Sequence, residues 1–182
     1  MLIGLSGFAQ SGKDTVAKYL IEEHGYTRLA FADVLRRALY TLNPIILVSN
    51  EGAILRLKEH VDEVGWEEAK KIEEVRKLLQ VFGTEVGRAL LGENVWVNLA
   101  LKEMKEDRDY VFTDVRFLNE ANLLRDRGGS IWRIERPSVE AVNQHLSERA
   151  LEGYNFDFKI INDSTLDDLA EKVEIILDKL AQ

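Results

Sequence analysis

A glycine-rich segment near the start of the chain has the pattern of a phosphate-binding loop. Residues 6–15 read SGFAQSGKDT and follow the short apolar run MLIGL. Gly7, Gly12 and Lys13 fit the spacing G-x-x-x-x-G-K, in which backbone N–H groups surround phosphate oxygens and the lysine reaches the β- and γ-phosphates. Glycine lets the backbone bend closely around an anion, and the N-terminus of the next helix adds partial positive charge. The segment predicts a nucleoside triphosphate site; the alternative is a glycine-rich turn that binds nothing.

The residue after Lys13 departs from the common form of this loop. Asp14 stands where serine or threonine is usual, and the hydroxyl comes one place later, as Thr15. A carboxylate beside a triphosphate is repelled unless a cation lies between them. We therefore predict that Asp14 faces Mg²⁺, directly or through water, and that Thr15 contacts phosphate. The alternative for Asp14 is a first-turn acid that stabilises the helix dipole.

A second carboxylate is placed to serve the same metal. Asp114 closes the apolar run YVFTD, so it lies at the carboxyl end of a predicted strand. Open α/β sheets bind their ligands beyond those strand ends. We predict that Asp114 is the second anchor for Mg²⁺. The alternative is that it caps the helix that follows.

Several arginines lie near predicted strand ends or helix starts, where an enzyme that joins two phosphate-bearing molecules would need them. Guanidinium groups bind phosphate in a bidentate manner and stabilise charge in a transition state. Each one alone is equally well explained as a solvated surface residue, so only the set carries weight. Asp33 is either the N-cap of the second helix or a partner for an arginine or a sugar hydroxyl. The arginines are Arg36, Arg37, Arg88, Arg116, Arg133 and Arg136.

The order of elements predicts an α/β fold with five strands and helices between them. Residues 45–108 show no clear strand beyond the brief apolar stretch IILV, so they read as a helical insertion. Helices are expected at 12–24, 34–42, 65–83, 84–91, 93–107, 117–128, 139–151 and 165–181. Strands are expected at 1–6, 27–31, 109–115, 129–136 and 156–163.

Composition narrows the classes of function. The 182 residues suffice for one sizeable core, and the formal net charge of −8 argues against binding to a nucleic-acid polymer. No apolar run is long enough to span a bilayer. The absence of cysteine excludes disulfides and thiolate metal sites and fits a reducing cytoplasm. The three histidines lack metal-ligand spacing, and we expect the tryptophans to be core: Trp66, Trp96 and Trp132.

Segments spread across nearly the whole chain resemble the bacteriophage-type deoxynucleoside monophosphate kinases, within the P-loop nucleoside monophosphate kinase group. The first segment, LSGFAQSGKDT, is shared by many P-loop kinases. The segment containing G-T-E-V-G-R with its following tryptophan, and the segment D-V-R-F-x-N-E-A, are more specific. The matching pieces are LSGFAQSGKDT, AFADVLRRAL, LLQVFGTEVGRALLGENVWV, FTDVRFLNEA, HLSE and IINDSTLDDL.

The resemblance implies a reaction and an architecture. ATP with Mg²⁺ would phosphorylate a deoxynucleoside monophosphate to the diphosphate. The fold would be the three-layer P-loop NTPase fold, with a five-stranded parallel sheet, a helical acceptor-binding insertion and a short lid. One kinase domain would span 1–182, with its core at 1–43 and 109–182, the insertion at about 45–108 and the lid at about 136–150.

The resemblance also implies roles for individual residues. The catalytic residues would be Lys13, Arg116, Arg133 and Arg136, and the metal ligands Asp14 and Asp114. The acceptor would be bound by Asp33, Arg36, Arg88 and Arg116. ATP would be bound by Gly7, Ser11, Gly12, Lys13, Asp14, Thr15, Asn162, Asp163 and Ser164, the last three in a loop that commonly holds the adenine in this group.

Alternatives remain open from the residues alone. A P-loop kinase for another phosphorylated metabolite, such as dephospho-coenzyme A, would share the loop but not the two more specific segments. A nucleotide-binding regulatory module would share the loop without acceptor stimulation, although no N-K-x-D motif supports a guanine switch. A homodimer is left open, but we expect the apolar stripe of the C-terminal helix to be core. The location expected is the cytoplasm, that of the host for a phage protein.

Overall fold

The computed structural model describes residues 1–137 and 150–181. Most of the helix expected at 139–151, most of the lid and His145 lie outside the described residues. The chain forms two compact units, residues 1–30 with 101–182, and residues 31–100. The predicted single domain, with its insertion at about 45–108, stays a prediction.

Five parallel strands form the sheet of the first unit. They are β1 (Leu2–Ser6), β2 (Thr27–Leu29), β5 (Tyr110–Phe112), β6 (Ser130–Glu135) and β7 (Phe158–Ile161). Their order across the sheet is β2–β5–β1–β6–β7, so β1 is central. Every residue of β1 is buried, as its nearly continuous apolar sequence predicts for a strand inside a parallel sheet. The predicted five-stranded parallel sheet is confirmed.

Helices cover both faces of this sheet: α1 (Lys13–His24), α6 (Leu118–Arg125) and α7 (Leu166–Leu180). Successive residues of a strand point to opposite faces. Ile3 and Leu5 share a core cluster with residues of α1 and α7. Gly4 faces the other way, where an added Cβ would lie 2.9 Å from Leu124 of α6. The three-layer α/β architecture is therefore confirmed, and the stripe of the C-terminal helix is core as expected.

The second unit is a set of helices with one hairpin. Its elements are α2 (Phe31–Leu42), β3 (Ile45–Val48), β4 (Ile54–Arg56), α3 (Leu57–Ala69), α4 (Glu73–Val81), a π-helix (Phe82–Leu91) and α5 (Val95–Leu101). The antiparallel pairing of β3 with β4 corrects the expectation of no strand beyond IILV. A three-residue strand is too short to show the alternation from which strands are predicted. No helix in the described residues is long and apolar enough to cross a membrane.

The start of α2 and the helix expected at 65–83 also differ from the prediction, and the helix expected at 93–107 ends at Leu101. The strand expected at 27–31 ends at Leu29, and helix α2 begins at Phe31. Asp33 therefore lies inside the first turn of α2, and the prediction that it is the N-cap is wrong. Phe31, Val34 and Leu39 are buried, and their spacing continues the apolar face of the helix rather than a strand. The single helix expected at 65–83 is divided, because α3 ends at Ala69 and α4 begins at Glu73.

The segment G-T-E-V-G-R packs around the tryptophan that follows it. The indole N–H of Trp96 donates to the carbonyl oxygen of Gly83 at 2.8 Å, and Trp96 is 4% exposed. A Cβ on Gly87 would lie 2.3 Å from the nearest indole carbon. Phe82 completes the contact, with ring centroids 5.6 Å apart. Gly87 therefore makes room for the indole, whereas a Cβ on Gly83 would meet Leu35 of α2 and its carbonyl oxygen accepts the indole N–H.

Replacing Gly87 with alanine tests this packing. Alanine normally stabilises a helix interior by about 0.5–1 kcal/mol relative to glycine. Here the new methyl group meets the indole of Trp96, so we expect the opposite sign and a loss of about 1–3 kcal/mol. Chemical denaturation would measure the free energy of unfolding, with the exposed substitution Thr84→Ala in the same helix as the control. A stabilised Gly87→Ala protein would contradict the contact.

Candidate active site

The loop between β1 and α1 depends on two glycines. Gly7 has φ 152° and Gly12 has φ 107°, angles that residues with side chains rarely adopt. Gly7 also has no room for a side chain, because a Cβ there would lie 2.3 Å from the carbonyl oxygen of Ile134 on β6. Both backbone angle and packing thus require glycine at the positions where the motif has it.

Ser11 carries a buried hydroxyl that lacks a hydrogen-bond partner in the described part of the chain. The residue is 1% exposed and lies two positions before α1. An unsatisfied buried polar group costs about 1–3 kcal/mol. A ligand oxygen at the N-terminus of the helix would accept from this hydroxyl and remove that cost. The arrangement therefore supports an anion site at the loop.

Lys13 adds positive charge where the helix dipole is already positive. It is the first residue of the 12-residue helix α1, and its ammonium group donates to the carbonyl oxygen of Phe8 at 2.7 Å. A cation is unfavourable at a helix N-terminus unless an anion is close. Asp14 lies in the first turn of the same helix, where its negative charge offsets part of this positive charge, as the helix-dipole alternative predicts. A bound phosphate group would complete the compensation.

An open cleft of about 550 Å³ runs beside the loop. It brings residues of the loop and α1 together with residues after β7 and with Arg136, which follows β6. Asp163, also predicted for the ATP site, forms an ion pair with Lys172 at 2.9 Å, and that hydrogen bond lowers its pKa. The cleft is lined by Gln10, Gly12, Lys13, Asp14, Thr15, Arg136, Asn162, Ser164, Thr165 and Leu166.

A smaller cavity of about 40 Å³ brings Arg116 and Arg133 beside Gly7 and Phe8. Arg133 lies on β6, with its side chain 13% exposed and its guanidinium carbon 4.7 Å from the centre of the Phe8 ring. It also lies 5.7 Å from the ring of Phe156 and 3.4 Å from the Ser6 hydroxyl. Arg133 is thus held in place by the sheet edge. Its catalytic role and that of Arg116 stay predictions.

Asp114 lies at the carboxyl edge of the sheet. Its neighbours continue the sheet contacts, because the N–H of Thr113 donates to Leu29 and that of Val115 donates to Leu5, each at 3.1 Å. The N-cap alternative for Asp114 is wrong, since α6 begins at Leu118 and the acid that caps it is Glu120. The Glu120 carboxylate accepts from the N–H groups of Arg116 and Phe117 at 2.7 and 3.0 Å.

The donor set fits a magnesium ion that shares its coordination shell with phosphate and water. Mg²⁺ in phosphoryl-transfer sites usually takes one or two carboxylates and keeps several waters. Asp14, exposed in the first turn of α1, and Asp114 supply oxygen donors of that kind. Within the described residues there is no group of three or more His, Cys, Asp or Glu that could hold a metal. The assignment of these two ligands stays a prediction.

The acceptor residues predicted in the second unit have protein partners. Arg36 lies 3.6 Å from Asp33 and 3.8 Å from Glu67, and its guanidinium carbon lies 5.9 Å from the Trp66 ring. Asp33 is therefore an arginine partner, which is one of the two alternatives considered for it. Arg88 donates to the carbonyl oxygen of Glu93 at 3.3 Å. The binding of an acceptor by these residues stays a prediction.

Two residues that support the site were missed from the sequence. Glu120 is 3% exposed and orders the backbone after Asp114. Phe117, three residues earlier, lacks the side-chain oxygen of a capping-box residue, so the sequence offered no such signal for Glu120. Lys172 contacts Ile161 at the end of β7 from 11 positions away and Asp163 in the following loop from 9, and a lone lysine in an amphipathic helix carries no sequence signal of such contacts.

Comparisons with known proteins identify the family. The family model described as deoxynucleotide monophosphate kinase matches residues 49–173. The chain belongs to this family. A protein of Acanthamoeba polyphaga mimivirus, provisionally named a deoxynucleotide monophosphate kinase, is 30% identical over 198 aligned residues, which span the whole chain and 98% of that protein. The predicted resemblance and the prediction of a kinase are confirmed.

Phage relatives and one solved structure agree with this family and fold. The deoxynucleotide monophosphate kinase of Escherichia phage RB69 is 35% identical over 108 residues, covering 57% of this chain and 44% of that protein. The deoxynucleoside-5'-monophosphate kinase of Escherichia phage T5 is 49% identical over 53 residues, covering 28% of this chain and 21% of that protein. Shikimate kinase from Aquifex aeolicus covers 100% of this chain and 98% of its own, at 18% identity and a TM-score of 0.52, which shows the fold alone.

Replacing Ser11 with alanine tests whether its hydroxyl serves a ligand. Without ligand, we expect the melting temperature to stay the same or to rise, because the unsatisfied group is removed. With ATP, we expect affinity to fall by about tenfold or more, since hydrogen bonds to charged groups contribute about 1.5–3 kcal/mol. Thermal shift with and without MgATP would measure both. Lys18→Ala, an exposed cation on the same helix, is the control, and unchanged ATP stabilisation of Ser11→Ala would contradict the assignment.

Proposed function

We propose that this protein transfers the γ-phosphoryl group of ATP to a deoxynucleoside monophosphate, with Mg²⁺. The observation that carries the proposal is the loop at the end of β1. There, an unsatisfied buried hydroxyl, two obligatory glycines and a lysine converge on the N-terminus of α1. Membership of the deoxynucleotide monophosphate kinase family supports the choice of acceptor.

The reaction requires positioning and charge compensation more than proton transfer. A P–O bond of ATP breaks as an oxygen of the acceptor phosphate bonds to the γ-phosphorus, giving ADP and the deoxynucleoside diphosphate. The acceptor oxygen is already anionic, so no strong base is needed. Lys13 would neutralise charge on the transferred group, and Arg116, Arg133 and Arg136 would stabilise the charges of both nucleotides.

Mg²⁺ would be held by Asp14 and Asp114, directly or through water, and would neutralise charge on the β- and γ-phosphates. ATP would be bound by the loop and by the residues after β7, with Asp163 and Ser164 beside the adenine. Asp33, Arg36, Arg88 and Arg116 would bind the acceptor. These assignments follow the family pattern, and the shared cleft of the loop and Asn162 supports the ATP part.

We further propose that the protein works on the nucleotide pool of the cytoplasm, that of the host cell in a viral setting, as its phage and mimivirus relatives suggest. Neither a nucleic-acid polymer nor a membrane is part of this proposal.

Acceptor-dependent ADP release tests the function. The assay would contain ATP and Mg²⁺ and would compare dTMP, dGMP, dCMP, dAMP and their ribose counterparts. We expect strong stimulation by at least one deoxynucleotide, and we expect Lys13→Ala to reduce the rate by about 10²–10³-fold, the effect of removing one charge-stabilising group. Lys18→Ala is the control for charge on α1. ATP turnover that no monophosphate stimulates would contradict the proposal that the acceptor is a deoxynucleoside monophosphate.

Replacing Asp114 with asparagine tests the metal assignment. Asparagine keeps the size of the side chain but removes the charge that Mg²⁺ prefers. We expect the Mg²⁺ concentration for half-maximal rate to rise by about 10- to 100-fold, with thermal stability little changed. A magnesium titration of the rate would measure this, with the surface substitution Asp126→Asn as the control. An unchanged magnesium response would remove Asp114 from the site.

A further inference from the structure

Asn162, the first residue after β7, contacts the phosphate loop directly. Its side-chain amide nitrogen donates to the backbone carbonyl oxygen of Ser11 at 2.9 Å. A Cβ on Gly12 would lie 2.4 Å from that same nitrogen. The fit is mutual, because the space that Gly12 leaves empty is the space that the amide group of Asn162 fills.

This hydrogen bond fixes the orientation of one peptide group in the loop. The C=O and N–H of a planar trans peptide point in opposite directions. Holding the carbonyl of Ser11 on the side of Asn162 therefore directs the N–H of Gly12 to the other side. Backbone N–H groups of such a loop are the donors to phosphate, so their orientation decides whether they converge on one anion.

Hydrogen bonds hold Asn162 and both of its neighbours in the chain, Ile161 and Asp163. Its backbone N–H donates to the carbonyl oxygen of Glu135 at 2.7 Å, which ties it to the end of β6. The ammonium group of Lys172 on α7 donates to the carbonyl oxygen of Ile161 at 2.7 Å and to Asp163 at 2.9 Å. The amide that contacts the loop is thus presented by a braced segment.

We propose that Asn162 is a positioning residue for the phosphate loop, braced by Lys172, rather than a contact to the base of ATP. The inference rests on the proposed function, because it concerns the same ATP site. It makes a different prediction from a base contact. A positioning residue affects every ligand that uses the phosphate loop, whereas a base contact affects only ligands that carry a base.

Two ligands separate these roles in the Asn162→Ala protein: MgATP, and magnesium tripolyphosphate, which has no base. Calorimetry would give both dissociation constants, and the kinase assay would give the KM values of ATP and of the acceptor. We expect both ligands to bind about three- to tenfold more weakly, the loss of one hydrogen bond, with the acceptor KM unchanged. Lys159→Gln, exposed on the same strand, is the matched control and should bind both ligands as the wild type does.

Other results would overturn the inference. Weaker binding of MgATP with unchanged binding of tripolyphosphate would make Asn162 a base contact. Unchanged binding of both ligands would remove it from the site. A wild-type protein that binds neither ligand would contradict the proposed function itself, which distinguishes that failure from a failure of the positioning role.

Lys172→Met provides a second test that leaves Asn162 in place and that stands if Asn162→Ala fails to fold. It removes the brace on Ile161 and Asp163 without adding a group to the cleft. We expect a smaller loss in the same direction, equal in proportion for MgATP and tripolyphosphate. Wild-type affinity for both ligands in Lys172→Met would show that the brace does not act on the loop.

Discussion

The site depends on a sharp turn between a buried strand and a helix. β1 is buried along its whole length, and α1 begins seven residues after its end. The chain makes this turn with two glycines at positive φ, and one of them lies where any side chain would collide with β6. A loop bent in this way places a buried hydroxyl, which has no hydrogen-bond partner among the described residues, beside the positive end of a helix. These groups are complementary to phosphate, so the same backbone constraint that allows the fold also provides the binding surface.

Neighbouring strand ends hold this turn in shape. The parallel sheet places the carboxyl ends of β5, β6 and β7 at the same edge as that of β1. From there, Arg133 stacks against Phe8, and Asn162 donates to the carbonyl oxygen of Ser11. Such contacts restrict the loop before a ligand arrives, which reduces the entropy that binding must overcome. These contacts support the positioning role proposed for Asn162.

The two more specific segments of the family resemblance, G-T-E-V-G-R and D-V-R-F-x-N-E-A, also make packing and hydrogen-bond contacts within the protein. In the second unit, Gly87 of G-T-E-V-G-R makes room for the indole of Trp96, which donates to the carbonyl oxygen of Gly83. In the first unit, the glutamate of D-V-R-F-x-N-E-A caps α6 and orders the backbone just after Asp114. A spacing that recurs in a family can thus reflect packing, and arginines within it gain their positions from that packing.

The sequence predicts the phosphate loop, the five parallel strands, the helices packed on them and the family, because glycine spacing, apolar strands and helical periodicity are local properties. It missed β4, a strand too short for a pattern, and it placed the start of α2 too late because Phe31 fits a strand and a helical face equally well. Which side chains meet is visible in the folded structure alone. Asn162 and Ser11 are 151 positions apart, and Lys172 contacts Ile161 from 11 positions away. Such contacts form where strand ends come together in the fold, so local sequence patterns do not predict them.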